Sequence, residues 1–84
     1  MSDRTPDPHD LARAVLDTAH QAALSANGAE LRRCLQEGRD LLRECMPQAA
    51  DQLDRALTDL DTGALAELEL LLEDVRRQLA AQAA

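Results

Sequence analysis

The sequence contains no phenylalanine, tyrosine or tryptophan, and it has neither lysine nor isoleucine. Without aromatic side chains, the chain has no ring on which a nucleic-acid base could stack. The chain has nine arginines and sixteen acidic residues, so its net charge is −7. A negatively charged surface repels phosphate backbones. The same charge disfavours an anionic membrane surface. We therefore expect neither a nucleic-acid partner nor a membrane partner.

Glycine, proline and cysteine are also scarce, with three, three and two residues respectively. Two cysteines are too few for a disulfide framework. No apolar run approaches the ~18 residues of a membrane-spanning helix, and the N-terminus lacks the pattern of a secretory signal. We expect a cytoplasmic protein. The sequence has no glycine-rich phosphate loop, no zinc-type spacing and no Ser-His-Asp set, so we expect no enzyme, no cofactor and no metal.

The apolar residues are almost all leucine and alanine, with sixteen of each. Leucine and alanine can form a compact hydrophobic core, but side chains of so few kinds determine its packing arrangement only weakly. A chain of 84 residues is one domain near the lower size limit for independent folding. Small helical proteins often gain further burial by oligomerising, so we expect a homodimer. Residues 1–6 are predicted to be a flexible segment, and residues 7–84 a single helical domain.

Leucine and alanine recur with helical spacing along four successive segments. The pattern predicts an all-α fold, a small antiparallel four-helix bundle made of two αα-hairpins. Asp7 and Pro47 mark helix starts, and Asn27 followed by Glu30 fits a capping box for the second helix. Gly28 is expected to close the first helix in a left-handed conformation, and Asp61 or Thr62 is expected to cap the last. One long kinked helix is the alternative for the first two. The predicted helices span about 8–26, 29–46, 47–60 and 62–82.

The sequence repeats weakly at a shift of 37 residues. Residues 16–19, LDTA, match residues 53–56, LDRA. Three leucines and an arginine of the second helix match the same residue types in the fourth: Leu31, Leu35, Arg39 and Leu42 match Leu68, Leu72, Arg76 and Leu79. The first helix therefore aligns with the third and the second with the fourth, which favours two stacked hairpins.

The fourth helix carries the densest leucine cluster. Its predicted core stripe contains six residues: Leu65, Leu68, Leu71, Leu72, Val75 and Leu79. Leu70 lies off this stripe, beside Ala66 and Ala81. It is either a single exposed leucine or part of a second apolar face that meets another chain. Gly38 lies within the apolar face of the second helix, where it would allow close helix packing; a functional hinge is the alternative. The candidate interaction residues are Leu70, Ala66, Ala81, Gly38 and Leu71.

Three further residues could carry chemistry. Cys34 and Cys45 share one face of the predicted second helix, about 16 Å apart, which excludes a bond between them. We expect two small buried residues, with a bridge across a dimer as the alternative. His20 lies at the border of the first apolar stripe, where a boundary histidine is expected. The alternatives are a metal site shared with either cysteine and a phospho-accepting histidine.

Residues 19–31, AHQAALSANGAEL, loosely resemble the active-site helix and following turn of a histidine phosphotransfer domain. That family carries Lys or Arg three residues after its histidine and Gly four residues after. Here these positions are Ala23 and Leu24. Because the residues that stabilise a phosphoryl group are absent, we carry no residue role over from the family.

The sequence predicts a non-enzymatic protein–protein interaction module that acts through apolar helix faces. It could be an adaptor, a small acidic chaperone or a regulatory subunit, and its partner would be another protein or a second copy of itself. An acidic chain favours a basic protein partner. The alternative is a sensor or phosphorelay-type helical bundle that uses His20, with or without Cys34 and Cys45.

Overall fold

The computed structural model describes residues 7–82, and this part of the chain forms four helices and no strand. The helices are α1 (Pro8–Leu24), α2 (Gly28–Leu42), α3 (Pro47–Thr62) and α4 (Leu65–Gln82). The predicted all-α class is therefore confirmed. No helix in this part of the chain is long and apolar enough to cross a membrane. The predicted flexible segment 1–6 and residues 83–84 of the predicted domain lie outside the described residues.

Three helices begin where the sequence indicates. The Asp7 carboxylate accepts the His9 N–H at 3.0 Å, and Pro8 is the first residue of α1. The Asn27 side-chain oxygen accepts the Glu30 N–H at 3.2 Å and begins α2. Pro47 begins α3. Since α1 and α2 are separate helices, the alternative of one kinked helix is wrong.

The left-handed residue that follows α1 is Ala26, with φ 56°, and not Gly28 as predicted. The Asn27 N–H donates to the Ala22 carbonyl at 2.9 Å, which closes the last turn two residues earlier than expected. Gly28 is instead the first residue of α2, because Asn27 caps that helix. An alanine in this conformation costs about 1 kcal/mol or more relative to glycine.

The second helix ends at Leu42, four residues earlier than predicted. Pro47 disfavours the helical conformation for the residue before it, and Met46 is accordingly extended at φ −142° and ψ 74°. Cys45 therefore lies in the turn between α2 and α3 and is exposed, whereas Cys34 is buried. The expectation of two buried cysteines on one helix face is correct for Cys34 and wrong for Cys45.

The boundary between α3 and α4 also differs from the prediction. Asp61 and Thr62 belong to the last turn of α3, which Gly63 closes at φ 82°. Asp61 does not cap α4 because its carboxylate pairs with Arg32 of α2, and the Thr62 hydroxyl donates to the Asp59 carbonyl. The fourth helix begins three residues later than predicted, with the Ala64 carbonyl accepting its first backbone hydrogen bond.

The core is built from the apolar faces of all four helices, and α1 and α3 each contact both α2 and α4. With a radius of gyration of 12.6 Å, the bundle is compact. Gly38 lies inside it. A Cβ atom there would come within 3.0 Å of Leu16 Cδ2 and 3.4 Å of Leu53 Cδ1. The missing side chain thus allows α2 to approach α1 and α3 closely, as the sequence predicts.

The shift of 37 residues relates two structural units, residues 8–42 and 47–82. Left-handed residues occupy equivalent places in the two units, Ala26 and Gly63. Each is followed by an N–H that closes the preceding helix, from Asn27 to Ala22 at 2.9 Å and from Ala64 to Asp59 at 2.8 Å. The turn inside each unit is therefore built in the same way.

Two ion pairs between the units obey the same relation. Arg76 of α4 contacts Asp17 of α1 at 2.8 Å, and Arg39 of α2 contacts Asp54 of α3 at 3.0 Å. Under the shift of 37 residues, Asp17 is equivalent to Asp54 and Arg76 is equivalent to Arg39. The two ion pairs are therefore equivalent, with the acid and the base exchanged between the units. The weak sequence repeat is thus a repeat of structure as well.

Candidate functional site

The outward face of α4 carries a large apolar side chain that no other helix covers. Leu70 is 64% exposed. Ala66, one turn earlier, and Ala81, three turns later, are also exposed on this helix. The exposure of Leu70 agrees with its predicted position off the core stripe.

Acidic side chains surround Leu70. It lines two shallow grooves, one between α1 and α4 and one between α3 and α4. Five carboxylates and two arginines line these grooves: Asp59, Glu67, Glu69, Glu73 and Asp74, with Arg55 and Arg76. Arg76 is already paired with Asp17. We call Ala66, Leu70 and the four carboxylates of α4 (Glu67, Glu69, Glu73 and Asp74) the Leu70 ridge.

One carboxylate of the Leu70 ridge is held in place by two amides. Gln52 of α3 and Gln78 of α4 donate to Asp74 Oδ2 at 2.7 Å and 3.1 Å, and Gln78 also donates to Gln52 Oε1. The hydrogen bond from Gln52 and then that from Gln78 lower the pKa of Asp74 below its ordinary value. These bonds favour the ionised form, so they maintain the negative charge beside Leu70.

The other predicted interaction residues have different surroundings. Leu71 is half-buried and packs against the core while lining the groove between α3 and α4. Gly38 is buried beneath Leu16 and Leu53 and offers no surface to a second chain. Leu70, Ala66 and Ala81 are therefore exposed on α4. The prediction of Gly38 as an interaction residue is wrong, because the close packing that it allows is between helices of the same chain.

His20 and the two cysteines lie in different environments. His20 is half-buried in the groove between α1 and α4, which Glu69, Glu73 and Arg76 also line. Burial, and then the charge of Glu30, raise the pKa of the Cys34 thiol, which disfavours a reactive thiolate. Within residues 7–82, no three His, Cys, Asp or Glu side chains come together in a way that could hold a metal ion.

An apolar cleft lies at one end of the bundle, and helical periodicity did not indicate it. The end of α1, the start of α2, the end of α3 and the start of α4 border a concavity of about 160 Å³ that is partly open to solvent. Eight apolar residues and two polar ones line it: Ala22, Ala23, Ala26, Gly28, Leu31, Leu60, Leu65 and Leu68, with Asn27 and Glu69. We call this space the turn-end cleft.

The two units differ at one pair of equivalent residues that line the turn-end cleft. Gly28 and Leu65 are equivalent under the shift of 37 residues, and both are the first residue of a helix. A Cβ atom added to Gly28 would meet nothing within 4 Å. The first unit thus lacks the side chain that the second unit supplies. The prediction that Leu65 belongs to the core stripe is wrong, since this first residue of α4 is 52% exposed. The available signal in the sequence was that the repeat aligns Gly28 with Leu65.

The described part of the chain therefore offers two surfaces of different chemistry. The Leu70 ridge presents one leucine among negative charges, and the turn-end cleft presents an apolar concavity. Comparison of the chain with protein-family models, with curated proteins and with solved structures gave no match.

Proposed function

We propose that the protein is a non-enzymatic interaction module, an adaptor, small acidic chaperone or regulatory subunit, that binds a basic protein segment through the Leu70 ridge. The observation that carries this proposal is the exposure of Leu70 between carboxylates in the N-terminal half of α4. A single exposed leucine is common on protein surfaces. The internal repeat shows that this position differs from its equivalent in a specific way.

The equivalent of Leu70 in the first unit is Arg33. Arg33 lies between two carboxylates of its own helix, contacting Glu30 at 2.7 Å and Glu37 at 3.6 Å. Leu70 lies at the same place between Glu67 and Asp74. A leucine cannot neutralise these two carboxylates, so α4 presents negative charge where α2 neutralises it internally.

A partner with complementary chemistry would supply the missing cation. An apolar side chain of the partner would pack on Leu70, and a flanking arginine or lysine would approach Glu67 or Asp74. The apolar contact would supply affinity, while the charges would set orientation and association rate. A helical segment suits the elongated grooves on either side of the ridge, as in helix-in-groove recognition.

Self-association through the same ridge is less favourable. A two-fold contact centred on Leu70, with two antiparallel copies of α4, would place Glu67 of one copy opposite Glu73 of the other. Like charges opposite each other in an interface are destabilising. The predicted homodimer therefore stays a prediction, and we infer that a dimer would use another surface.

A synthetic helical peptide with one leucine flanked by arginines tests the proposal. Leu70→Asp and Leu70→Arg should both weaken its binding by about tenfold or more, because each removes the apolar contact. Leu70→Arg also restores the arrangement around Arg33. The measurement is isothermal titration calorimetry, with circular dichroism to verify helicity.

Leu24→Asp is the matched control, since Leu24 is 67% exposed and is not among the residues lining either groove. It adds the same charge as Leu70→Asp and should leave peptide affinity within about twofold. Equal affinity for the unmodified protein and both Leu70 variants would contradict the proposal. A reduction by Leu70→Arg alone would also contradict it, because it would indicate a general charge effect: an added arginine repels a basic peptide, whereas an added aspartate attracts it.

The arrangement of the helices is part of the proposal. We infer that consecutive helices run antiparallel as two αα-hairpins, which the short connections at residues 25–27, 43–46 and 63–64 support. The cytoplasmic location and the exclusion of nucleic-acid and membrane partners rest on the sequence and stay predictions.

We do not propose the alternative phosphorelay or sensor function. Two carboxylates, Glu69 and Glu73, line the same groove as His20 and would repel a phosphoryl group. The arginine that lines this groove, Arg76, is already paired with Asp17. The cation and the glycine of the phosphotransfer pattern are replaced by Ala23 and Leu24.

A further inference from the structure

The lining of the turn-end cleft is organised by the internal repeat. Three pairs of equivalent residues contribute to it: Ala23 with Leu60, Gly28 with Leu65, and Leu31 with Leu68. The cleft therefore lies where the two units face each other. Leu31 and Leu68 are buried, and both belong to the core.

Of the equivalent residues Gly28 and Leu65, only Leu65 has a side chain that can contribute to the turn-end cleft. With leucine at both positions, the two units would supply two side chains to the same region. Here only Leu65 is present, and the space beside Gly28 is open. An apolar molecule that entered would cover the exposed part of Leu65 and displace water from an aliphatic surface, which is favourable.

We propose that the turn-end cleft binds a small uncharged apolar molecule about the size of a benzene or indole ring. Its volume of about 160 Å³ is large enough for such a ring, since a closed aliphatic cavity of about 150 Å³ binds benzene. The turn-end cleft is partly open to solvent, so we expect weaker binding than in a closed cavity. The chain has no aromatic side chain of its own that could occupy such a space. The proposal does not depend on the interaction function of the Leu70 ridge.

The polar residues of the lining restrict the class of ligand. Glu69 is the one ionisable residue that lines the cleft, and the net charge of the chain is −7, so an anionic ligand is disfavoured. The Asn27 side-chain oxygen already accepts the Glu30 N–H. Selectivity should therefore follow ligand size and the absence of negative charge.

Titration with indole, followed by ¹H–¹⁵N correlation spectra, tests the proposal. We expect saturable shifts of the amides that line the cleft, with a Kd on the order of 1 mM for so small a ligand. Gly28→Leu should fill the cleft and reduce the affinity by about tenfold or more. Gly28→Ala is the matched control, because it adds one methyl group at the same position and should bind indole nearly as well.

Two further measurements distinguish binding in the cleft from binding elsewhere on the surface. Indole-3-carboxylate should bind at least about tenfold more weakly than indole, and Leu70→Asp should bind indole like the unmodified protein. Gly28→Leu must remain folded by circular dichroism, and its retention of full indole affinity would overturn the proposal. The absence of saturable shifts in the unmodified protein, or shifts spread away from the cleft, would also overturn it.

Discussion

Single residues end the helices of this bundle, and one of them is strained. Ala26 and Gly63 occupy equivalent left-handed positions, but only Gly63 has the residue type that this conformation favours. The sequence predicted the left-handed residue at Gly28, because glycine is the expected residue there. The prediction missed Ala26 because it gave Gly28 the closing role, whereas Asn27 caps α2 and makes Gly28 the first residue of that helix.

Exchanging the residue types at these two positions should therefore have opposite effects. Ala26→Gly should raise the free energy of unfolding by about 1 kcal/mol, because it relieves the left-handed alanine, and Gly63→Ala should lower it by about 1 kcal/mol or more. Urea unfolding measures both. Ala14→Gly, within α1 and exposed, is the control and should cost about 1 kcal/mol. A loss of stability in Ala26→Gly equal to that in Ala14→Gly would show that the alanine is not strained.

Helix starts were more predictable than helix ends. Asp7, Asn27 and Pro47 begin helices through local chemistry that the sequence displays, and all three lie where it indicates. The start of α4 was predicted wrongly because Asp61 pairs with Arg32, a residue of another helix. Contacts between helices are not readable from a single segment, so they limit what a local pattern can determine.

The two units also differ in how their second helices are capped. Asn27 caps α2 with its side chain, whereas the equivalent residue before α4 is Ala64, which has no side-chain oxygen. Ala64→Ser should raise the free energy of unfolding by about 1 kcal/mol, because its hydroxyl can accept an N–H of the first turn. Asn27→Ala should lower it by a similar amount.

Thermal and urea unfolding measure these changes. The control is Ala80→Ser, an exposed position within α4, where serine should cost about 0.5 kcal/mol because of its weaker helix propensity. If Ala64→Ser were no more stable than Ala80→Ser, the start of α4 would not be limited by its missing cap.

The whole molecule is a repeated scaffold on which a few differences create the candidate surfaces. Leucine replaces arginine at Leu70 relative to Arg33, and glycine replaces leucine at Gly28 relative to Leu65. Helical spacing predicts the exposure of Leu70, and the repeat can be found in the sequence. The repeat shows that Gly28 is aligned with Leu65, but the turn-end cleft itself could not be predicted from it, because the volume depends on how four helix ends meet.

The stability of the whole fold should depend on pH through two of its carboxylates. Asp74 has a pKa below its ordinary value of 3.8, chiefly through Gln52 and then Gln78, and Glu30 has a pKa lowered from 4.5, chiefly by Arg33. A group whose pKa is lower in the folded state stabilises the fold above its unfolded pKa, and this stabilisation is lost as the pH falls through the folded pKa. Both contributions should be complete at pH 7 and decline below about pH 4.

Asp74→Asn isolates one of these groups, since asparagine is nearly isosteric and has no carboxylate to ionise. The unmodified protein should be more stable than Asp74→Asn at pH 7, and the difference should shrink as the pH falls below 3.8. Urea unfolding at a series of pH values measures it. In a Gln52→Ala background, which removes the main hydrogen bond to Asp74, the pH-dependent part of the difference should be smaller. A difference that stayed constant with pH, or that the Gln52 substitution left unchanged, would show that this network does not couple α3 and α4 to the ionisation of Asp74.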